Sequence, residues 1–265
     1  MRYSFLDHPG PIAFAHRGGA HGAPENSMTA FQRAVGLGYG YIETDVQATV
    51  DGRLMVFHDP VLGRVTDRRG RIARLPYREV ARARIGGTEP IPLLEDVLGS
   101  FPRIRFNIDI KDEPAIAPLI RVLHRTRAWD RVCITSFSTR RLAHLRARSP
   151  LFTREPVCTA LGPRGVAAVR FGGRFERLAQ AAASGVACAQ VPYNLGPVPF
   201  ATASFVQQAH ALGLVVHAWT VNDPVVMHRL LDAGVDGIMT DELEMLRDVM
   251  TERDLWQPSV TRSDR

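Results

Sequence analysis

Lysine is almost missing from this chain: of 33 basic residues among 265, one is a lysine, Lys111, and the other 32 are arginines. Long apolar runs are missing too. No stretch approaches the roughly 20 consecutive apolar residues that span a bilayer, which argues against a transmembrane helix. Met1 to Pro11 shows no basic segment followed by an apolar one, so no secretory signal is expected and the chain reads as cytoplasmic. Cysteine is scarce and odd in number: Cys133, Cys158 and Cys188 each sit in an apolar strand-like run. None has zinc-ligand spacing, and all three are expected as buried free thiols in a reducing compartment. There is no glycine-rich dinucleotide loop. The basic segment holding Arg68, Arg69, Arg71, Arg74, Arg82 and Arg84 has a single aromatic, Tyr77, among its arginines. The net charge of +6 therefore suits a small anionic substrate and a solvated basic face, not nucleic acid.

What is present alternates. Strand-like runs at Ile12–His16, Tyr41–Gln47, Arg105–Ile110, Val132–Ser136, Val157–Leu161, Ala187–Pro192, Val215–Val221 and Gly237–Thr240 are separated by helix-like segments. Gly38, Gly185, Gly213 and Gly234 each follow a helix-like segment and precede a strand, the place where a glycine ends a helix cheaply. This repeating unit predicts a (β/α)8 TIM barrel with a small insert after the second strand. The expected organisation is one barrel domain over 1–265, with the insert at about 48–92 and a frayed tail at about 256–265. The insert opens with Asp51-Gly52, a two-residue hairpin signal. Taken as the loop, this pair sets Asp45 opposite His58.

Residues two apart in a strand share a face. Glu43 and Asp45, Asp109 and Lys111, and His217 and Trp219 form three such pairs at or near strand C-termini, where barrel active sites are built. Three carboxylates gathered there require a counter-cation. Oxygen-only ligation points to one divalent ion, Mg²⁺ or Ca²⁺, and a salt-bridge network of Glu43 with Arg17 and Asp109 with Lys111 is the alternative. The single lysine falls two residues from a candidate ligand, where a compact ammonium differs from a planar guanidinium. His16 and His58 each end an apolar run beside a charged residue and form the candidate acid–base pair. His217 either joins them or stands behind them. Glu25 and Asn26 either orient the site or cap the first helix.

These residues lie in segments that resemble the glycerophosphodiester phosphodiesterase family: Ala15-His16-Arg17-Gly18, Pro24-Glu25-Asn26-Ser27, Glu43-Thr44-Asp45-Val46, Asp51-Gly52 through Phe57-His58-Asp59, Asn107-Ile108-Asp109-Ile110-Lys111, Trp219-Thr220-Val221-Asn222 and Gly234 through Asp241. The resemblance implies a phosphodiesterase-type TIM barrel that hydrolyses glycerophosphodiesters to sn-glycerol 3-phosphate and an alcohol. It implies metal binding by Glu43, Asp45 and Asp109, acid–base roles for His16 and His58, phosphate contacts from Arg17 and Lys111, and a substrate-pocket wall at Trp219. The family usually carries Glu where this chain has Asp109. A lysophospholipase D ranks second, because the insert is polar and Pro192–Phe200 offers modest apolar surface. A non-catalytic barrel binding phosphorylated ligands is the third reading, and it would be marked by loss of a histidine or ligand, none of which is missing.

Overall fold

β-Branched and aromatic residues favour the pleated, half-buried surface of a strand, and eight runs of them become the staves of the barrel. The computed structural model describes residues 3–154 and 156–259. The strands are β1 Ile12–His16, β2 Tyr41–Ala48, β3 Arg105–Ile110, β4 Val132–Thr135, β5 Cys158–Thr159, β6 Cys188–Pro192, β7 Val215–Trp219 and β8 Gly237–Thr240. They pair in parallel in the order β5-β4-β3-β2-β1-β8-β7-β6. Closure rests on one bridge between Ala160 and Cys188, flanked by hydrogen bonds from Leu161 N–H to Cys188 O (2.8 Å) and from Ala187 N–H to Thr159 O (2.9 Å). The expected (β/α)8 barrel is thus observed.

The helices around the barrel are α1 Met28–Gly36, α2 Leu94–Ser100, α3 Ile116–Thr126, α4 Thr139–Arg148, α5 Pro163–Arg170, α6 Gly172–Ala183, α7 Ala203–Ala211, α8 Pro224–Asp232 and α9 Leu243–Glu252, and the insert adds a single turn at Tyr77–Val80. Ser27, Ser138, Thr202 and Asp223 cap α1, α4, α7 and α8 by accepting from the backbone amide three residues on. Helix α5 carries its own sequence signal: Gly162 followed by Pro163 in the first turn, with Val166 and Val169 one turn apart. Among the described residues no helix is long and apolar enough to cross a membrane.

Two expectations are corrected. The hairpin pairs Val46 with Val56 and Ala48 with Leu54, so Phe57, not His58, lies opposite Asp45, its amide donating to the Asp45 carbonyl at 2.9 Å. The loop has three residues, Val50-Asp51-Gly52, closed by Thr49 and Arg53, with Gly52 at φ +76°. A left-handed glycine at the last loop position is the signature of a three-residue hairpin, and the extra residue shifts the register by one. The tail is docked as far as Ser259: the Trp256 ring meets Tyr39 at 5.1 Å, and the Ser259 amide donates to Gly38 O at 3.0 Å. Residues 260–265 lie outside the described ones. The insert has a core of its own, including Met55, Phe57, Leu62, Ile72 and Val80, while Arg68, Arg69, Arg71, Arg74 and Arg82 face solvent.

Along the barrel axis the interior changes chemistry. Its N-terminal end is apolar, filled by Phe14, Tyr41, Met239 and the three cysteines and plugged by Tyr3, Phe5 and Leu6. All three cysteines are buried and free, as expected. A polar layer follows. Asn107 and Gln190 exchange amide hydrogen bonds of 3.2 and 2.8 Å, and Gln190 Nε2 lies 3.2 Å from His217 Nδ1. His217 is wholly buried, its ring 4.9 Å from Phe14. Burial disfavours the imidazolium and pushes its pKa down to about 4. The unfolded chain therefore takes up this proton first as the pH falls. The folded state should lose up to about 3 kcal/mol between pH 6.5 and about 4 through this group, and nothing above 6.5. Urea titrations of wild type and His217→Gln across that window check this; parallel stability curves for the two proteins would show that His217 contributes no such slope.

Candidate active site

The first turn after β1 is built from left-handed residues. Arg17, Gly18 and Gly19 have φ of +52°, +83° and +91°, which suits glycine and strains arginine. A side chain at Gly19 would place its Cβ 2.6 Å from Leu243, and one at Gly18 would lie 2.8 Å from the Ala30 methyl. This turn lets the Arg17 amide donate to Glu43 Oε2 at 3.1 Å while its guanidinium reaches Asp45 Oδ2 (3.3 Å) and Glu25 Oε1 (3.0 Å).

Parallel register does the rest. His16 pairs with Glu43 across β1 and β2, and Asp45 pairs with Asp109 across β2 and β3, so all four project at the barrel's C-terminal mouth. The Lys111 ammonium sits between Asp45 Oδ1 (2.8 Å) and Asp109 Oδ2 (2.6 Å). Asn26, buried and left-handed at φ +57°, donates to Asp45 Oδ2 at 2.9 Å and accepts from the Thr44 hydroxyl at 2.7 Å. The choice left open for Asn26 is settled: it holds Asp45, and Ser27 caps the helix.

Burial and charge separate the carboxylates. Burial, with Asp45 alongside, pushes Glu43 up to about 7. Burial acts on Asp45 in the same sense, but the charges of Lys111 and Arg17 outweigh it and hold this group below the usual carboxylate range. Asp109 is raised by burial despite Lys111. Lys111 loses hydration on burial, yet its two aspartates keep its pKa above the ordinary value.

Both candidate histidines are held through the same atom. His16 Nδ1 lies 2.8 Å from Asp241 Oδ1, and His58 Nδ1 lies 2.6 Å from Asp59 Oδ1. A carboxylate only accepts, so Nδ1 carries the proton and Nε2 is left for other work. His16 Nε2 is 3.8 Å from Glu43 Oε2. Burial disfavours the His16 imidazolium, but the Asp241 hydrogen bond and the Glu43 charge prevail and raise its pKa. Asn222 in turn donates to Asp241 Oδ2 (3.1 Å) and accepts from the Asp241 amide (2.9 Å) and the Thr240 hydroxyl (3.0 Å). On the insert side, Arg64 binds both Asp59 and Glu25, the latter at 2.6 and 3.0 Å. Glu25 also holds Arg17, so a chain of ion pairs runs from His58 to the β1 turn.

His16, Arg17, Glu43, Asp45, His58, Asp109, Lys111 and Trp219 all line one pocket of about 170 Å³. His217 lies beneath it. The sequence reading did not single out Asn107, Thr135, Phe137, Gln190, Thr220 and Met239, which complete the lining. Asp59 was the charged neighbour that singled out His58, but Asp241 and Asn222 were missed as supports for His16, although both fall inside the motif segments.

Among the described residues no three His, Cys, Asp or Glu groups stand close enough together to hold an ion as they are; Lys111 separates Asp45 from Asp109. The donor set still fits a hard cation. All three carboxylates are buried, Glu43 is held near neutrality in pKa, and Asp109 Oδ1 is buried with no hydrogen-bond partner. A buried oxygen of that kind costs about 1–3 kcal/mol unless something offsets it.

Residues 16–245 match the model of the glycerophosphoryl diester phosphodiesterase family. A probable glycerophosphodiester phosphodiesterase 2 of Mycobacterium tuberculosis is 44% identical over 261 residues, covering 95% of each chain. A glycerophosphodiester phosphodiesterase of Caldanaerobacter subterraneus is 30% identical over 89% of this chain and 96% of its own. Among solved structures, a putative glycerophosphoryl diester phosphodiesterase of Silicibacter pomeroyi superposes with a TM-score of 0.80 at 24% identity, over 96% of this chain and all of the other. An Oleispira antarctica phosphodiesterase in complex with sn-glycerol-3-phosphate does so at 0.72 and 24%, over 91% and 97%. The chain belongs to the glycerophosphoryl diester phosphodiesterase family, whose TIM-barrel members are phosphodiester hydrolases.

Proposed function

We propose that this enzyme hydrolyses glycerophosphodiesters to sn-glycerol 3-phosphate and an alcohol, with one divalent ion, Mg²⁺ or Ca²⁺, held by Glu43, Asp45 and Asp109. The observation that carries this reading is the single pocket in which two aspartate-held histidines face three buried carboxylates, an ammonium and a guanidinium. A volume of about 170 Å³ lies below the roughly 300–1,000 Å³ of pockets that bury drug-sized ligands, and it suits a phosphoglycerol group. The relatives named for this activity, and the relative bound to sn-glycerol-3-phosphate, support the same substrate.

When bound, the ion supplies Lewis-acid polarisation of a phosphoryl oxygen and neutralises growing charge there. Arg17 and Lys111 bind the other phosphate oxygens, each kept charged by the carboxylates beside it. One imidazole Nε2 takes a proton from the nucleophile, a water or the substrate's own glycerol 2-hydroxyl, and the other gives a proton to the leaving alkoxide. Asp241 and Asp59 fix tautomer and orientation and stabilise each imidazolium as it forms. Trp219 walls the organic part of the substrate.

Release of glycerol 3-phosphate from glycerophosphocholine tests the reading. It should vanish in EDTA and return with Mg²⁺ or Ca²⁺. His16→Ala and His58→Ala should each lower kcat by about 10²–10⁴-fold, the usual worth of a positioned acid or base. Saturating ion should also raise thermal stability, by about 2.7 kcal/mol at a hundredfold excess over Kd. Full turnover in EDTA would remove the ion from the proposal, and full turnover without either imidazole would remove the acid–base pair.

Arg64 is the joint between His58 and Arg17. Replacing it with leucine should loosen both, lowering kcat about 10-fold or more with a smaller change in KM, while Arg64→Lys restores part of the loss. An unchanged kcat in Arg64→Leu would reduce the ion-pair chain to a surface feature.

A further inference from the structure

The segments at the barrel mouth divide by charge. Those after β1, β2, β3, β7 and β8 carry its acidic side chains, Glu25, Asp59, Glu113, Asp223 and Asp241 among them. The segments after β4, β5 and β6, residues 136–141, 160–171 and 192–200, contain four arginines and no Asp or Glu. Because β4 pairs with β5 and the barrel closes between β5 and β6, the three segments make one continuous sector. Arg141 is tied down, donating to Ile110 O and Ser136 Oγ at 2.8 and 3.1 Å. Among the described residues Arg140, Arg164 and Arg170 form no ion pair.

The same sector exposes large apolar side chains. Phe137, Phe171, Leu195 and Val198 are 65, 63, 55 and 59% exposed. Leu195 and Val198 pair across the turn Gly196-Pro197 in a small antiparallel hairpin, and residues 195–199 are all exposed. The Arg170 guanidinium lies 6.0 Å from the Phe171 ring centre, so cation and ring present themselves together. Scattered single apolar residues are ordinary on a surface, whereas several gathered on one sector mark a place that something covers. The chain's own described ends do not cover it. Tyr3–Leu6 plug the opposite end of the barrel, and Trp256–Ser259 lie against Gly38 and Tyr39 there. A second copy related by a twofold axis would set arginine against arginine with no carboxylate between them.

We infer that this sector docks on the surface of an anionic phospholipid bilayer. The Leu195–Val198 hairpin, Phe137 and Phe171 enter the interface, and Arg140, Arg164 and Arg170 meet lipid phosphates. Basic side chains beside exposed apolar ones are what such a surface rewards, the charges by attraction to its negative potential and the apolar groups by burial at the boundary of the acyl chains. The lipids act here as a surface and not as substrate, and no bond is made or broken. The acidic segments of the mouth, repelled by the same potential, stay turned to water. The enzyme is thereby held at a membrane while its pocket is reached from solution. The inference goes beyond the proposed reaction and does not depend on it.

Co-sedimentation of the full chain with phosphatidylcholine vesicles, with and without phosphatidylglycerol, tests this. Binding should appear with the anionic lipid and fall as salt is raised, because the surface potential is screened. Arg140→Gln, Arg164→Gln and Arg170→Gln should each weaken it about fivefold, the equivalent of about 1 kcal/mol per charge near the surface. Leu195→Glu should weaken it about 10-fold or more. Val198→Trp should be quenched by lipids brominated on their acyl chains. Turnover of glycerophosphocholine in solution by Leu195→Glu and Arg164→Gln should match that of wild type, which shows that both variants fold. No binding to the anionic vesicles, or an unquenched tryptophan at position 198, overturns the inference. An equal loss from Arg69→Gln and Arg71→Gln on the insert also overturns it, since the attraction would then belong to the net charge. A dimer that Leu195→Glu breaks assigns the sector to a second copy and overturns it as well.

Discussion

Three carboxylates are buried within one barrel mouth, and much of the local structure answers to that. Glu43, Asp45 and Asp109 are each at most 6% exposed. An ionised group taken out of water without partners costs several kcal/mol. The chain meets this with two cations, a buried amide and local strain. The left-handed Arg17 and the two glycines after it bring one amide and one guanidinium to Glu43 and Asp45. The left-handed Asn26 aims its amide at Asp45. Strain of this kind persists only where the surroundings over-determine it, and here the surroundings are the carboxylates.

The barrel interior and the insert serve the same end by different means. Below the mouth, Asn107, Gln190 and the neutral His217 form a polar layer between charged groups and an apolar plug. Beside the mouth, the insert's own core lets Arg64 reach two acidic residues of different elements. The histidines are thereby supported from opposite directions: His16 from the last barrel strand through Asp241, and His58 from the insert through Asp59 and Arg64.

How much of this could be read in the sequence follows the distance over which each signal acts. The strands were legible because apolar runs repeat locally, and the carboxylates because a two-residue spacing fixes a shared face. The eight residues given catalytic, binding or metal roles line one pocket, while His217, Glu25 and Asn26 lie outside its lining. The hairpin register was one residue off because Asp51-Gly52 fits both a two- and a three-residue loop. Asp241 escaped notice as a histidine partner because the pairing spans 225 positions and leaves no periodicity.

The solitary lysine and the shortened carboxylate make sense together. Asp109 and Lys111 share a face of β3, and the lysine stem folds back until its ammonium touches Asp109 Oδ2 and Asp45 Oδ1 at once. A guanidinium is wider and planar and would pair with one carboxylate through both oxygens. At Asp109 that would use the oxygen now left without a partner. The compact ammonium neutralises part of the buried charge and leaves Asp109 Oδ1 and the Glu43 carboxylate for another cation. In a chain that otherwise uses arginine throughout, the one position occupied by lysine is one where a point charge between two aspartates serves better than a fork.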